Sequence, residues 1–383
     1  MSATQKILAF EANLNRVIDD AISVQRIVGT VVLVLRNGDA VYTRAAGLSD
    51  REAGVAMRED SIFRLSSLSK PIVSATALAL IEGGKLRLED SVSRWIPGFR
   101  PQLADGTTPE ITVRELLSHT AGFGYGFFEP EDGPYHKANI SDGLDQPGLS
   151  IDENLRRIAS VPLAYKPGTS WAYSVAHDIA GEVIARSGGR TLPEIVRDLV
   201  TAPLAMSDTG FAVTDRSRLA VAYADGSPAP RRMGEVQVVK MAYGPGSIRF
   251  APSRVFNRDS YPSGGCGMTG TAGDFAKLLE TLRTGGGTIL SARSVSAMTA
   301  DQSGGRGPAP GTAFGYGVSV IADPAAAQTP QSAGTFAWGG VYGHTWFVDG
   351  SKGLTVVALT NTAVEGLSGR FPIDIRDAIY AAM

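Results

Sequence analysis

Apolar positions recur along this chain with two different periods. Between about Thr4 and Arg26, the residues Ile7, Leu8, Leu14, Val17, Ile18 and Ile22 fall at helical spacing with charges between them, which predicts an amphipathic helix. The next stretch, GTVVLVLRNGDAVYTRAAG, holds two β-branched runs separated by Asn37-Gly38. That pair suits a two-residue type I′ turn, so a hairpin is predicted. From about Ser67 to Glu82 an Ala/Leu/Ile-rich segment reads as a helix stopped by Gly83-Gly84. Roughly residues 80 to 200 mix short helices (VRELLS, ENLRRIAS, SVAHDIAGEVIARS) with Gly/Pro-bearing loops, and GDFAKLLETLRTGG supplies a further helix. The last third returns to strands in FGYGVSVI, GTFAWGG, HTWFVDG and GLTVVALTN, then closes with a short helix near IDIRDAIYAAM.

Strands at both ends around a helical middle predict an α+β protein, with one antiparallel sheet assembled from the two ends of the chain and a second lobe inserted between them. The sequence has no repeat at a period of about 20 to 50 residues and no Pro/Ser linker long enough to separate independent domains. Length alone, 383 residues, would have suggested two or three domains.

Composition narrows the chemistry. A net charge of −2 without a basic block gives no electrostatic reason to bind nucleic acid. The single Cys266 excludes an intrachain disulfide or a thiolate metal cluster. No apolar run reaches about 18 residues and MSATQKILAFEANLNR lacks the apolar core of a signal peptide, so a cytoplasmic protein with no membrane partner is expected. The four histidines, His119, His136, His177 and His344, are scattered, and neither H-E-x-x-H nor a Walker A sequence occurs. No metal or organic cofactor is expected, and the sequence sets no oligomeric state. Gly265-Cys266-Gly267-Met268-Thr269-Gly270 matches G-x-G-x-x-G, but FNRDSYPSG before it is no buried strand. These glycines read as a turn packed against a site.

Ser67-Leu68-Ser69-Lys70 is the only S-x-x-K, and Pro71 places the start of its helix near Ser66 or Ser67. At i and i+3 the two side chains share one helix face, as a Ser-Lys nucleophile requires. A helix-capping Ser beside a surface Lys would leave the same four letters. Lys at its ordinary pKa of about 10.4 is a poor base near pH 7, so burial or a second partner has to bring it down. Two other stretches favour chemistry. Trp171-Ala172-Tyr173-Ser174-Val175 follows a Pro167-Gly168 turn, so that Ser174 can cap the next helix and Tyr173 stands at a loop-helix junction. Ala337-Trp338-Gly339-Gly340-Val341-Tyr342-Gly343-His344 puts bare glycines at a strand end, where a substrate carbonyl can approach backbone N–H groups.

With the Leu117-Ser118-His119-Thr120-Ala121-Gly122 turn, YPSGGCGMTGTAGDF and WGGVYGHTWFVD, these motifs resemble, in order and spacing, serine hydrolases of the class C β-lactamase and penicillin-binding-protein fold. More narrowly, they resemble family VIII carboxylesterases of the EstB type, along nearly the whole chain. The resemblance implies an α/β/α sandwich in a single unit over 5–383, its α/β part about 5–80 and 210–383 and its helical lobe about 81–209. It implies Ser67 as acylated nucleophile, Lys70 with Tyr173 as the groups that take and return its proton, and an oxyanion hole from the backbone N–H groups of Ser67 and Val341. Which of Lys70 and Tyr173 is the base is a property of the coupled pair and stays open.

Departures from the β-lactamase pattern point to the substrate. Where those enzymes carry Lys or His, Thr or Ser, then Gly, this chain has Trp338-Gly339-Gly340, and Tyr173-Ser174-Val175 replaces Tyr-x-Asn. An indole offers apolar surface in place of a cation for a β-lactam carboxylate, so small uncharged short-chain esters are the expected substrates, with little or no β-lactam turnover. Trp338, Gly339, Gly340, Tyr125 and Phe127 are the expected substrate-binding residues, with Phe128 beside them. Tyr125, Phe127 and Phe128 read equally well as packing of a long loop. Asp178 reads as a residue behind the site or a solvated helix charge, His344 as a strand-turn hydrogen-bonding residue, and Cys266 as a small packed residue with no positive cluster near it. An acyltransferase of the statin-synthase kind and a β-lactamase or D-amino-acid peptidase are the alternatives. A non-catalytic binding module is disfavoured, because an inert pocket has no need of Ser67, Lys70 and Tyr173 together.

Overall fold

The computed structural model describes residues 3–241 and 244–382. Helix α1 (Ala3–Ser23) buries Leu14, Val17, Ile18 and Ala21 along one face, as its periodicity predicts; the side chains of Ile7 and Leu8 lie outside the described residues. Strands β1 (Gly29–Arg36) and β2 (Asp39–Asp50) form the predicted hairpin. Asn37 (φ 53°) and Gly38 (φ 95°) both take the left-handed conformation that a type I′ turn demands.

The short strand β3 (Val55–Ala56) continues from β2. The C-terminal third supplies β4 (Thr312–Phe314), β5 (Ser319–Ile321), β6 (Phe336–Gly340), β7 (His344–Asp349) and β8 (Leu354–Thr360). They make one antiparallel sheet in the order β4-β5-β6-β7-β8-β1-β2-β3. β8 and β1 pair in its interior, with Val32 opposite Ala358, so the two ends of the chain meet there as expected. Alternation along β1 feeds two cores. Val32 and Val34 pack with Phe347 of β7, with α1, and with Phe371, Ile375 and Ile379 of the C-terminal helix (Arg370–Tyr380). Val31 and Leu33 belong to the larger core on the other face, with Phe275 and Leu278 of the helix Ala272–Arg283 and Trp346 of β7.

On that second face α2 (Ser69–Glu82) packs against α3 (Ala176–Gly188). Every residue of α2 from Ser69 to Leu78 is buried, which explains why its sequence is apolar all round rather than amphipathic. A buried helix start is what turns Ser67 and Lys70 from surface residues into neighbours in a low-dielectric site.

Three local expectations change. FGYGVSVI is two strands, β4 and β5, joined by a turn in which Gly317 (φ 78°) hands its N–H to the Leu117 carbonyl. Ser67 lies in a single 3-10 turn, Ser66–Leu68, ahead of α2 rather than within the helix. The cap of α3 is Val175 and not Ser174, whose hydroxyl is engaged by Ala176 N–H at 3.4 Å and by His119.

Candidate active site

The two-stranded pair Phe63–Arg64 with Thr269–Gly270 delivers the chain to Ser66, which turns it in the left-handed region (φ 45°). Strain at a non-glycine residue is held there by what packs on it. Gly340 of β6 comes so close that a Cβ on it would stand 2.5 Å from Ser66 Oγ and 2.7 Å from the Leu65 carbonyl. Gly340 is thus required by the approach of β6 to the Ser66–Leu68 turn, whereas Gly339 is kept bare by Leu367 and the His344 carbonyl, and Val341 follows immediately beyond the strand.

Ser67 Oγ accepts a hydrogen bond from Lys70 Nζ (3.1 Å) and one from the Tyr173 hydroxyl (2.6 Å). Lys70 Nζ also donates to the Gly265 carbonyl (3.0 Å) and lies 4.6 Å from the centre of the Tyr173 ring. Trp338 Nε1 donates to the Tyr173 oxygen at 3.2 Å, so the indole expected only to offer apolar surface also holds the phenol. Tyr125 and Phe127 are buried and stacked on each other (4.4 Å between centroids), with Tyr125 tilted against Tyr173 at 5.0 Å; Phe128 is 42% exposed at the rim.

The loop after Tyr261 closes the site from behind. Asp178, on α3, is buried and accepts from Tyr261 Oη (2.8 Å), Ser263 Oγ (2.6 Å) and Gly265 N–H (2.8 Å). It therefore holds Gly265, the residue whose carbonyl faces Lys70, and is not a solvated helix charge. The G-x-G-x-x-G match is a turn packed on the site. Its Cys266 Sγ sits 3.8 Å from Ser67 Oγ, close enough to feel Lys70, so a cation does lie near this thiol; burial nonetheless pushes its pKa up. His344 donates through Nε2 to the Arg64 carbonyl (2.8 Å), and burial drops its pKa to about 4, in keeping with a structural role. Among the described residues no group of three or more His, Cys, Asp or Glu side chains is arranged to hold a metal ion.

Burial opposes the charge on Lys70, but the facing Tyr173 oxygen, the Cys266 sulfur and the Asp178 carboxylate outweigh it and hold the ammonium above its ordinary pKa. This reverses the expectation that Lys70 is brought down. Burial likewise raises the Tyr173 phenol, against the pull of the Lys70 charge. The resting pair is thus ammonium and phenol, and the form that can take a proton is one proton poorer.

Residues 14–377 match the β-lactamase family. The chain belongs to that family. Within it, the chain is 49% identical over 375 residues to Esterase EstB of Burkholderia gladioli, covering 97% of this chain and 95% of that protein. The solved structure titled EstCE1, a hydrolase with promiscuous acyltransferase activity, superposes with a TM-score of 0.93 at 43% identity and covers 98% of this chain and 99% of that one. Simvastatin synthase (LovD) from Aspergillus terreus, at 22% identity and a TM-score of 0.73 over 97% of this chain and 98% of its own, shares the fold. In this β-lactamase family member Lys70 is buried and bonded to Ser67, so a capping serine beside a surface lysine does not describe this turn. The stretches that hold Gly265 and His119 were singled out beforehand, but the contacts these residues make were not legible, because a backbone acceptor and a buried imidazole leave no spacing pattern.

Proposed function

We infer that this chain is a serine esterase that cleaves small, uncharged carboxylic esters through an acyl-enzyme on Ser67. The observation that carries the reading is the convergence of Lys70 Nζ and Tyr173 Oη on one hydroxyl, at 3.1 and 2.6 Å. Tyr173, in its deprotonated form, takes the Ser67 proton as Oγ attacks the ester carbonyl. Lys70 as ammonium and the Trp338 indole N–H both favour that phenolate, which is why the base is placed on Tyr173. The oxyanion is held by the Ser67 and Val341 N–H groups. As the carbonyl reforms, the C–O bond to the alcohol breaks and Tyr173 returns the proton to the leaving oxygen. Water then repeats the sequence, releasing the acid and regenerating Ser67. Trp338, Gly339, Gly340, Tyr125 and Phe127 form the substrate side. A lone cysteine, buried and unpaired, suits the reducing cytoplasm as its location. No helix among the described residues is long and apolar enough to cross a membrane.

The sign of the pH dependence follows from the raised Lys70 and Tyr173 pKa values. A group whose pKa is raised gives up its proton at higher pH, so the competent form accumulates as the medium becomes alkaline. We expect kcat/KM for p-nitrophenyl butyrate to rise by about tenfold per pH unit on its ascending limb, with that limb above pH 7. A pH-rate profile already flat from pH 6 to 7 would contradict this.

Intact-mass detection of an acyl adduct across a panel of p-nitrophenyl esters, with one chromogenic cephalosporin in parallel, tests the reading. Without a cation in the Trp338 position, the cephalosporin should be turned over about 10²-fold or more below the best ester in kcat/KM, the worth of a lost charge-assisted contact. Comparable turnover would return the chain to the β-lactamase reading. Acyl transfer is the second reading, favoured by the activity named for EstCE1 at 43% identity. Product analysis with millimolar added alcohol should show mainly the free acid, and a dominant transesterified product would put transfer first.

A further inference from the structure

The Leu117–Gly122 turn takes no part in the steps above, yet His119 at its centre is fully buried against the base. The residue adopts the left-handed conformation (φ 58°). Its carbonyl accepts from the Ala172 N–H (3.1 Å) and from the Tyr165 hydroxyl (3.3 Å), and its ring Nδ1 bonds Ser174 Oγ (3.1 Å). Residues 172 and 174 bracket Tyr173, so a single residue grips the chain on both sides of the base. Its ring also packs edge-on against the Tyr173 ring, with centroids 4.9 Å apart at 61°.

Behind it stands His177 of α3, with its ring 4.8 Å from that of His119 and its Nε2 3.0 Å from Ser74 Oγ. Ser74 lies on α2, one helical turn beyond Lys70. The two imidazoles, tilted 35° to each other, therefore stand between the segment that carries the base and the helix that carries the lysine. Burial first, and the neighbouring positive charges second, keep both rings neutral. A neutral imidazole can pack and hydrogen-bond there without competing with the Lys70 charge.

We propose that His119 is a positioning residue for Tyr173: through its carbonyl and its Nδ1 it sets the phenol oxygen at hydrogen-bond distance from Ser67, and it exchanges no proton in the reaction. The inference rests on the reading of Tyr173 as the base. Displacing a catalytic group by about 1 Å costs on the order of 10²-fold in rate, so loss of this grip falls on kcat rather than on substrate affinity.

The test compares His119→Ala, His119→Asn, Ser174→Ala and Tyr173→Phe by steady-state hydrolysis of p-nitrophenyl butyrate, with circular dichroism and thermal melts as the folding control. His119→Ala is expected to lower kcat by about 10- to 100-fold while KM stays within about threefold. Asparagine tolerates the left-handed conformation and keeps a polar atom near the Nδ1 position, so His119→Asn should recover kcat to within about fivefold of the parent. Ser174→Ala breaks the same ring bond with His119 in place and should match His119→Ala within about threefold. An unaltered kcat in Ser174→Ala or His119→Ala overturns the proposal, as does an asparagine variant as slow as the alanine one. If His119→Ala does not fold, Ser174→Ala and His119→Asn decide between them. Tyr173→Phe at the parent rate would instead remove the reading of the base, whereas a slow Tyr173→Phe beside a fast His119→Ala would remove this inference alone.

Discussion

Ser67→Ala is expected to lower kcat for p-nitrophenyl esters by about 10⁴-fold or more, and to abolish the acyl adduct seen by intact mass. Removing Oγ takes away the atom that forms the covalent bond, and no neighbour is placed to replace it. The Cys266 sulfur lies 3.8 Å from Ser67 Oγ, but burial raises its pKa and holds it as a thiol. The loss should not come from unfolding. Ser67 is buried, and its truncation leaves Lys70 Nζ with the Gly265 carbonyl and the Tyr173 oxygen with the Trp338 indole. The stability cost is then that of one weakened polar cluster, about 1–3 kcal/mol, which a thermal melt resolves from loss of the fold. An Ala variant that kept the parent rate, or still accumulated an adduct, would end the assignment of Ser67 and the mechanism built on it.

The second large effect belongs to Tyr173→Phe, for which kcat should fall by about 10²- to 10⁴-fold, the span typical of a lost general base. The substitution is a clean one here. The phenyl ring keeps its contacts with Trp338 (4.9 Å), Tyr125 (5.0 Å) and His119 (4.9 Å), so packing survives while the hydrogen bonds to Ser67 and from Trp338 are lost. Because the alkaline limb of the pH profile is assigned to the Lys70–Tyr173 pair, that limb should move or vanish in the Phe variant. A variant that lost rate but kept the parent limb unshifted would transfer the base to Lys70. One that kept both would show that the phenol oxygen does no chemistry despite standing 2.6 Å from the nucleophile.

Much of the site was legible from spacing. Ser67 and Lys70 are three residues apart, a separation that lets their side chains meet across the 3-10 turn and the first turn of α2. The WGG stretch was legible too, though for a reason only partly foreseen: Gly340 is bare because β6 passes against Ser66 and Leu65. The charge state of Lys70 was not legible. Burial alone argues for a lowered pKa, and only the placement of the Tyr173 oxygen, Cys266 and Asp178 around it reverses the direction. Asp178 likewise stands five residues beyond Tyr173 on a helix whose sequence does not say which face is covered. The loop from Tyr261 to Gly265 covers it and supplies its three donors.

By itself the sequence determined what short-range rules control: the Asn37-Gly38 hairpin, the apolar face of α1, a helix start within a few residues of Pro71, and a family resemblance dense enough to single out Ser67, Lys70 and Tyr173. These follow from steric limits on a few neighbouring residues and from periodic burial. Tertiary structure alone decided which distant groups meet around Ser67 and Lys70. Tyr173 reaches Ser67 across 106 residues and Gly265 reaches Lys70 across 195, while His119 grips the base from 55 residues before Ser174. Such contacts depend on how α2, α3, the closing loop and β6 pack against one another. Each of these is a hydrogen bond between distant residues with no period to announce it, so the groups around Ser67 other than Lys70 are set by packing and not by spacing.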